Sequence, residues 1–434
     1  MRNRRQRGAV FVVTLAVLTV LVAVVASAAV SEKVTIREEI SRLEQRRAMV
    51  TAEAGIQRAA EVLADEGTTT TTNVNSNATL GSTANQAGAT TLQDDWATLG
   101  NSGNDRFVLR NSSFRLQILD AAARININTA AQAQLQKLPL LPEQIDAILD
   151  WRSAGENARP DGAKDSYYNG LPNPYDASLQ PFATVSELLD VRYFTPADLY
   201  DPPQNQTSTP LVNFPDGRTP TFAEIFTTDS SSQNVNQQGN NKQNLRNVNL
   251  NQLRRGQFAS IAQQLFNARN NTTWAAVIRA CPTMNTNQLR SLLNTYYVGN
   301  VNATGKINPN TASATVLQTI PNLTEDEAQS IVNQQSTGFT QLGDILNVPG
   351  MTNVRAAANF VDAFGIKSQN FIVRVIGTAG STSVPLEAVV SVTPQNGTKT
   401  VKILRMERQP FSDMTGRWGW PSSTNNDVTL EAAF

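Results

Sequence analysis

The sequence has no histidine and a single cysteine, Cys281. Without histidine the chain lacks the commonest general base and the commonest metal ligand. A lone cysteine cannot close an intramolecular disulfide. With no histidine to activate it, Cys281 reads as a small buried apolar residue and not as a nucleophile. Zinc sites and Ser-His-Asp or Cys-His catalysis are therefore all but excluded, and no enzyme is expected. An excess of either charge is missing too. The 36 basic residues balance 36 acidic ones, so no global field favours nucleic acid.

What the chain does have begins at its start. Residues 1–8 read MRNRRQRG, with Arg2, Arg4, Arg5 and Arg7, and the 22 residues from Ala9 to Val30 carry no charge. At helical rise that run covers about 33 Å, enough for the hydrocarbon core of a bilayer. The arginines mark the cytoplasmic side, so the bulk of the chain is expected beyond the inner membrane, in the periplasm. Three readings compete. A secretory signal peptide would be cut near Ala26-Ser27-Ala28. Against it, the apolar run is too long and no polar loop follows. Instead Ile36, Ile40, Leu43, Ala54, Ile56, Ala59, Ala60 and Leu63 recur roughly at helical spacing to residue 65. A plain single-span anchor is the second reading. The third is a type IV pilin-like leader, in which a short basic segment ends in glycine and the apolar helix starts at once, with cleavage between Gly8 and Ala9.

Further on, GTTTTTNVNSNATLGSTANQAGATT (67–91) and DSSSQNVNQQGNNKQN (229–244) hold too few apolar side chains to offset their conformational entropy. Both read as flexible connections. Between and beyond them the chain repeats itself. RININTAAQAQLQKLPLLPEQIDAILDW (124–151) matches KINPNTASATVLQTIPNLTEDEAQSIV (306–332), and FATVSELLDV (182–191) matches FTQLGDILNV (339–348). Each copy is expected as a Thr N-cap, a short helix, a Pro-marked turn, a second helix, and a third helix capped at Ser186 or near Gln341. The unit resembles the helix-hairpin-helix modules of competence DNA receptors. Those place glycines in the hairpin so that bare backbone approaches a phosphate. Here Pro139-Leu140-Leu141-Pro142 and Pro321-Asn322-Leu323-Thr324 stand instead, without glycine. That favours packing or protein docking over DNA.

Only the first copy carries an insertion, residues 152–181, marked as a loop by Gly155, Pro160, Gly162, Gly170, Pro172 and Pro174. Tyr167, Tyr168 and Tyr175 are expected to anchor it. Asp150, Glu156, Asp161, Asp165 and Asp176 offer hard oxygens of the kind calcium takes, though not at EF-hand spacing. The alternative is a solvated acidic loop. Alternation in FVLRNSSFRLQILD (107–120) predicts a hairpin turning at Asn111-Ser112-Ser113. FIVRVIG (371–377), PLEAVVSV (385–392) and KTVKILRME (399–407) predict three more strands, with Gly380 and Asn396-Gly397 in the turns. Strands from both ends should share one antiparallel sheet on which the N-terminal helix packs. The helical unit is then an insertion between the second and third strands.

The segment Asp120, Arg124–Ala130, Leu138-Pro139, Ile148–Trp151, and the loop segment Pro160–Ala163, Tyr167-Tyr168, Pro174-Tyr175, Pro181-Phe182, Ser186–Leu188 together resemble the K-type minor pseudopilins of type II secretion. The resemblance implies an α+β fold: a long N-terminal transmembrane helix on a small, pilin-like antiparallel sheet, with a large inserted helical domain of two helix-hairpin-helix (SAM-like) repeats. It divides the chain into a leader (1–8), the N-terminal helix (9–66), a polar linker (67–106), the first strands (107–120) and the first repeat with its loop (121–200). A second polar linker (201–245), a helical region with the second repeat (246–366), the remaining strands (367–409) and a tail (410–434) follow. It implies processing by prepilin peptidase, a place at the pseudopilus tip, and contact with I- and J-type minor pseudopilins and the major pseudopilin. It also implies a calcium site, with Glu156, Asp161 and Asp165 as candidate ligands, although Lys164 stands where the family has glutamate. Most pilins carry Glu five residues after the cleaved glycine, where it offsets a neighbouring subunit's α-amino charge inside the bilayer. K-type members do not, and here the position is Val13. A tip subunit has no neighbour on one side, and a lone carboxylate in lipid is costly. The alternative function is a membrane-anchored, DNA-binding receptor of the competence type.

Overall fold

The computed structural model describes residues 3–65, 88–203, 211–214, 217–395, 398–411, 414–422 and 426–429. Helix α1 (Asn3–Asp65) runs without a break, about 95 Å at the usual rise per residue. Its two halves have different surroundings. Residues 11–28 and 31–43 are exposed, whereas Ala48, Ala52, Ile56, Ala59 and Leu63 are buried.

The buried half lies on a six-stranded sheet of β1 (Asp105–Val108), β2 (Ser113–Asp120), β3 (Asn370–Ala379), β4 (Thr382–Gln395), β5 (Thr398–Arg408) and β6 (Asn426–Thr429). The spatial order is β5-β4-β3-β2-β1-β6. Neighbours are antiparallel except β1 and β6, which run parallel. Strict alternation in β2 turns Phe114, Leu116 and Ile118 to α1, where Phe371, Val373 and Val375 of β3 and Leu386, Ala388 and Val390 of β4 join them. Small residues set the approach. A Cβ on Gly377 would sit 2.2 Å from the Ala48 carbonyl oxygen, and one on Gly55 2.6 Å from Val375 Cγ1.

The other sheet face carries Ile372, Arg374 and Ile376. The tail, which the sequence left without a place, covers part of it. Trp418 and Trp420 pack with Ile376 and Met414, and Trp420 Nε1 donates to Gln117 Oε1 at 3.0 Å. The guanidinium groups of Arg115 and Arg374 lie 5.3 Å from the ring centres of Trp420 and Trp418.

As the alternation predicts, the helical region is inserted between β2 and β3. It leaves after Asp120 and returns before Asn370, and Asp120 pairs with Phe371 across the ladder. Its apolar side chains form one continuous core from Ile125 to Ile366. Two expected linkers differ from this picture. Residues 66–87 and the Asn396-Gly397 turn lie outside the described residues, but within 88–106 Ala89, Thr90, Asp94 and Trp96 are buried. The 229–244 stretch is also built into the fold. Ser231–Gln233 pairs with Asn302–Thr304 and with Lys367–Ser368. Its amides and hydroxyls replace apolar burial with hydrogen bonds: Ser232 Oγ donates to the Lys367 carbonyl at 3.0 Å, and Gln233 Nε2 to that of Val392 at 3.2 Å.

Candidate functional site

Three features carry chemistry or contact. The first is the bare half of α1, the described helix long and apolar enough to cross a membrane, consistent with a single-pass anchor. The backbone of Gly8 and Ala9 lies in its first turns. Val13 is 61% exposed among Phe11, Val12, Leu15 and Val17. Beyond the uncharged run, Val34, Ile36, Ile40 and Leu43 stay about half exposed.

The second is the repeated unit. Asn128 Nδ2 donates to the Phe182 carbonyl at 2.9 Å and its Oδ1 accepts from the Phe182 N–H at 2.7 Å. In the other copy Asn310 makes the same pair with Phe339, at 3.0 and 2.6 Å. Asn126 and Asn308 each turn the chain by accepting from the N–H two residues on. The expected Thr caps are corrected. Short helix Gln132–Leu135 starts after Ala131, and Ala314–Gln318 is capped by Ser313. Thr184, not Ser186, caps the 3-10 turn Val185–Asp190 by accepting from Glu187 N at 3.2 Å. In the hairpins Leu140 and Leu323 point into the core. Two donors there are already used: Leu141 N–H goes to Gln144, and Thr324 N–H to the Glu327 carboxylate at 2.8 Å. A glutamate at a helix start opposes a phosphate.

These copies meet the sheet at Asp120, which the sequence reading used only as a motif position. Its carboxylate is buried and accepts from Ala122 N–H (2.8 Å), Asn308 Nδ2 (2.9 Å), Thr311 Oγ1 (2.7 Å) and Ser368 Oγ (2.7 Å). Desolvation raises its pKa, and the four donors oppose that rise. One side chain thus ties the end of β2 to the second repeat and to the return strand. The available signal was an Asp placed just before a repeat whose Asn and Thr recur.

The third feature is the insertion. Trp151, Tyr168 and Tyr175 form an aromatic knot, with Trp151–Tyr168 and Tyr168–Tyr175 ring centres 5.2 Å apart. Tyr167 lies 4.2 Å from the Arg192 guanidinium. The three tyrosines do anchor the loop. Burial pushes the Tyr168 hydroxyl up to about 12. Asp150 is buried, paired with Arg159 at 2.7 Å, and a Cβ on Gly162 would sit 1.8 Å from its Oδ2. Asp165 accepts from the Ala177 N–H at 2.7 Å. Glu156 and Asp161 are exposed. No three acidic side chains among the described residues are gathered as a metal would need, so the candidate ligands as placed do not fit calcium. Instead the buried Lys164 ammonium donates to the carbonyls of Asp150 (2.6 Å) and Ser153 (2.5 Å). Its pKa is lowered by burial, with the Asp150 charge opposing. Cys281 is buried too, and burial pushes its thiol up to about 11, far from a reactive thiolate.

Residues 116–201 match the family model for the first part of type II secretion system protein K, and residues 307–367 match a second model of protein K. The chain belongs to the protein K family of type II secretion. Protein K is a minor pseudopilin, and this member is one. The matched segments are the two repeats, the first with its strand and loop. No curated protein sequence matches the chain. Among solved structures it is similar to the crystal structure of the GspK-GspI-GspJ complex from enterotoxigenic Escherichia coli, at 13% identity and a TM-score of 0.47, covering 86% of this chain and 100% of that one.

Proposed function

We propose that this protein K is a structural, non-enzymatic subunit at the tip of the type II secretion pseudopilus. In this reading prepilin peptidase cuts between Gly8 and Ala9. Residues 9–30 then hold the protein in the inner membrane with its folded bulk in the periplasm. The I- and J-type minor pseudopilins and the major pseudopilin join it through α1 and the main sheet. The observation that carries the reading is the division of α1. Its second half is spent on its own sheet, while its first half, including Val34, Ile36, Ile40 and Leu43 past the uncharged run, has no covering among the described residues. Apolar helices of this kind associate by packing. Val13 supports the end position because it leaves no carboxylate to be neutralised by a following subunit. The test is Val13→Glu. Folding of the soluble part should be unchanged, while secretion and pseudopilin assembly should fall. Unchanged secretion and assembly would remove the end-position argument.

The repeats serve in this proposal as helix-hairpin-helix modules turned to packing, with the Leu141 and Thr324 donors taken up internally. For the insertion, the proposed internal cation is the Lys164 ammonium in place of calcium. Millimolar calcium should then leave the melting midpoint where chelator leaves it, and Lys164→Met should lower it. A calcium-dependent rise in the midpoint would restore the metal, since only the folded chain would bind it.

A further inference from the structure

Between the sheet face opposite α1 and the first repeat lies a cavity of about 310 Å³, within the range of small-ligand sites. Its walls are apolar where Leu199, Phe226, Ile372, Val389 and Trp418 face it, and its mouth opens at Ser186 and Leu189, both exposed. The carboxylates along it are engaged. Glu224 pairs with Arg218 at 3.0 Å, Glu387 with Arg374 at 3.0 Å, and Glu407 with Arg405 at 2.7 Å.

Arg124 also lines the cavity and differs from these groups. It is 7% exposed, yet the one hydrogen bond of its side chain among the described residues is a long one, 3.4 Å to the Ala223 carbonyl. A guanidinium offers five N–H donors. Burial, reinforced by repulsion from Arg374 and opposed by the charges of Glu387 and Glu224, lowers its pKa to about 10, so it stays charged at neutral pH. A buried guanidinium with one of its five donors engaged by the described residues, and that one at long range, is costly to keep. The second repeat shows the satisfied arrangement. Lys306, the counterpart of Arg124, donates to the Asp362 carbonyl and has the Asp362 charge nearby.

We propose that this cavity binds a carboxylate carried on an apolar body, with Arg124 taking the carboxylate and the apolar walls taking the body. The final residue of a polypeptide and a free amphipathic acid share that chemistry. The proposal does not depend on the place of the protein in a filament.

The test uses the full chain in detergent and a fluorescent peptide ending in Ser-Gly-Phe, as free acid and as C-terminal amide, with phenylacetate as competitor. The free acid should bind saturably, and the amide about tenfold more weakly or worse, the loss expected for a charge-assisted pair. Arg124→Gln should weaken the acid by a similar factor. Leu189→Glu, at the exposed mouth where the fold tolerates change, should do the same and decides the matter if Arg124→Gln does not fold. If phenylacetate binds as tightly as the peptide, the occupant is a free acid. If the peptide is much tighter, it is a chain terminus. No saturable binding of either acid, equal binding of acid and amide, or unchanged affinity in the folded variants would overturn the proposal.

Discussion

Asp120 is the residue on which the two halves of the molecule depend. Replacing it with alanine leaves the Ala122 N–H, Asn308 amide, Thr311 hydroxyl and Ser368 hydroxyl without their shared acceptor. At about 1–3 kcal/mol for each buried group left unpaired, with partial relaxation, Asp120→Ala should cost about 3 kcal/mol or more. Chemical denaturation of the detergent-solubilised protein would show it, and a loss under 1 kcal/mol would deny the junction its role. Lys242 gives a pH signature at the same scale. Burial lowers its ammonium to about 8, although it donates to the Leu293 carbonyl at 2.7 Å. The unfolded chain then holds a proton that the folded chain has released between pH 8 and its ordinary value near 10.5. Stability should therefore rise with pH across that window, by linkage. Lys242→Met should flatten the rise, measured as the difference in midpoint between the two proteins at pH 7.5 and 10. The recurrence of Asn126/Asn308 and Asn128/Asn310 made the repeat legible from sequence. The partners of Asp120 were not, because Thr311 and Ser368 come near it only when the insertion closes on itself.

Helix α1 and the sheet show what pattern alone conveys at the scale of elements. Alternation in β2, and the strand-like runs between turns in β3–β5, placed the strands and their insertion point; in β2 a period of two fixes which side chains can be buried together. What pattern did not convey was the segment 229–244. A polar sequence was read as a linker for want of apolar surface, yet Ser231–Gln233 is held as the middle strand of three by its own hydroxyl and amide hydrogen bonds. The loop was half legible. Its tyrosines announced an anchor, but Lys164 folding back onto the Asp150 and Ser153 carbonyls is a matter of geometry that spacing does not encode. The seat of α1 on the sheet makes its own prediction. Gly377→Val inserts a branched side chain where even a Cβ lies 2.2 Å from the Ala48 carbonyl. It should lift the helix from β3 and cost about 1–3 kcal/mol or more. Unchanged melting, with unchanged protease resistance of residues 48–65, would mean that the helix is not seated there.

For the whole molecule, one continuous helix joins a bare apolar half to a folded body, and everything else is hung on the sheet that its second half covers. The match of residues 116–201 and 307–367 to protein K explains why the repeats and not the membrane segment carry the family's identity. An apolar run can be replaced by almost any other, whereas the paired asparagine turns and the Asp120 junction require particular side chains. Processing between Gly8 and Ala9 should leave Ala9 as the mature N-terminus, read by mass spectrometry of the membrane-bound protein. A start at Ala29 would instead mean a secretory signal and a protein without its anchor. The central claim, that the bare half of α1 is a packing surface for other pseudopilins at one end of a filament, is tested most directly by photo-crosslinking in cells from a probe at Ile36 and, separately, at Leu43. Adducts with the I- and J-type minor pseudopilins, and no ladder of the chain with itself, are predicted. A homotypic ladder, or adducts with lipid alone in cells that assemble pseudopili, would contradict the account.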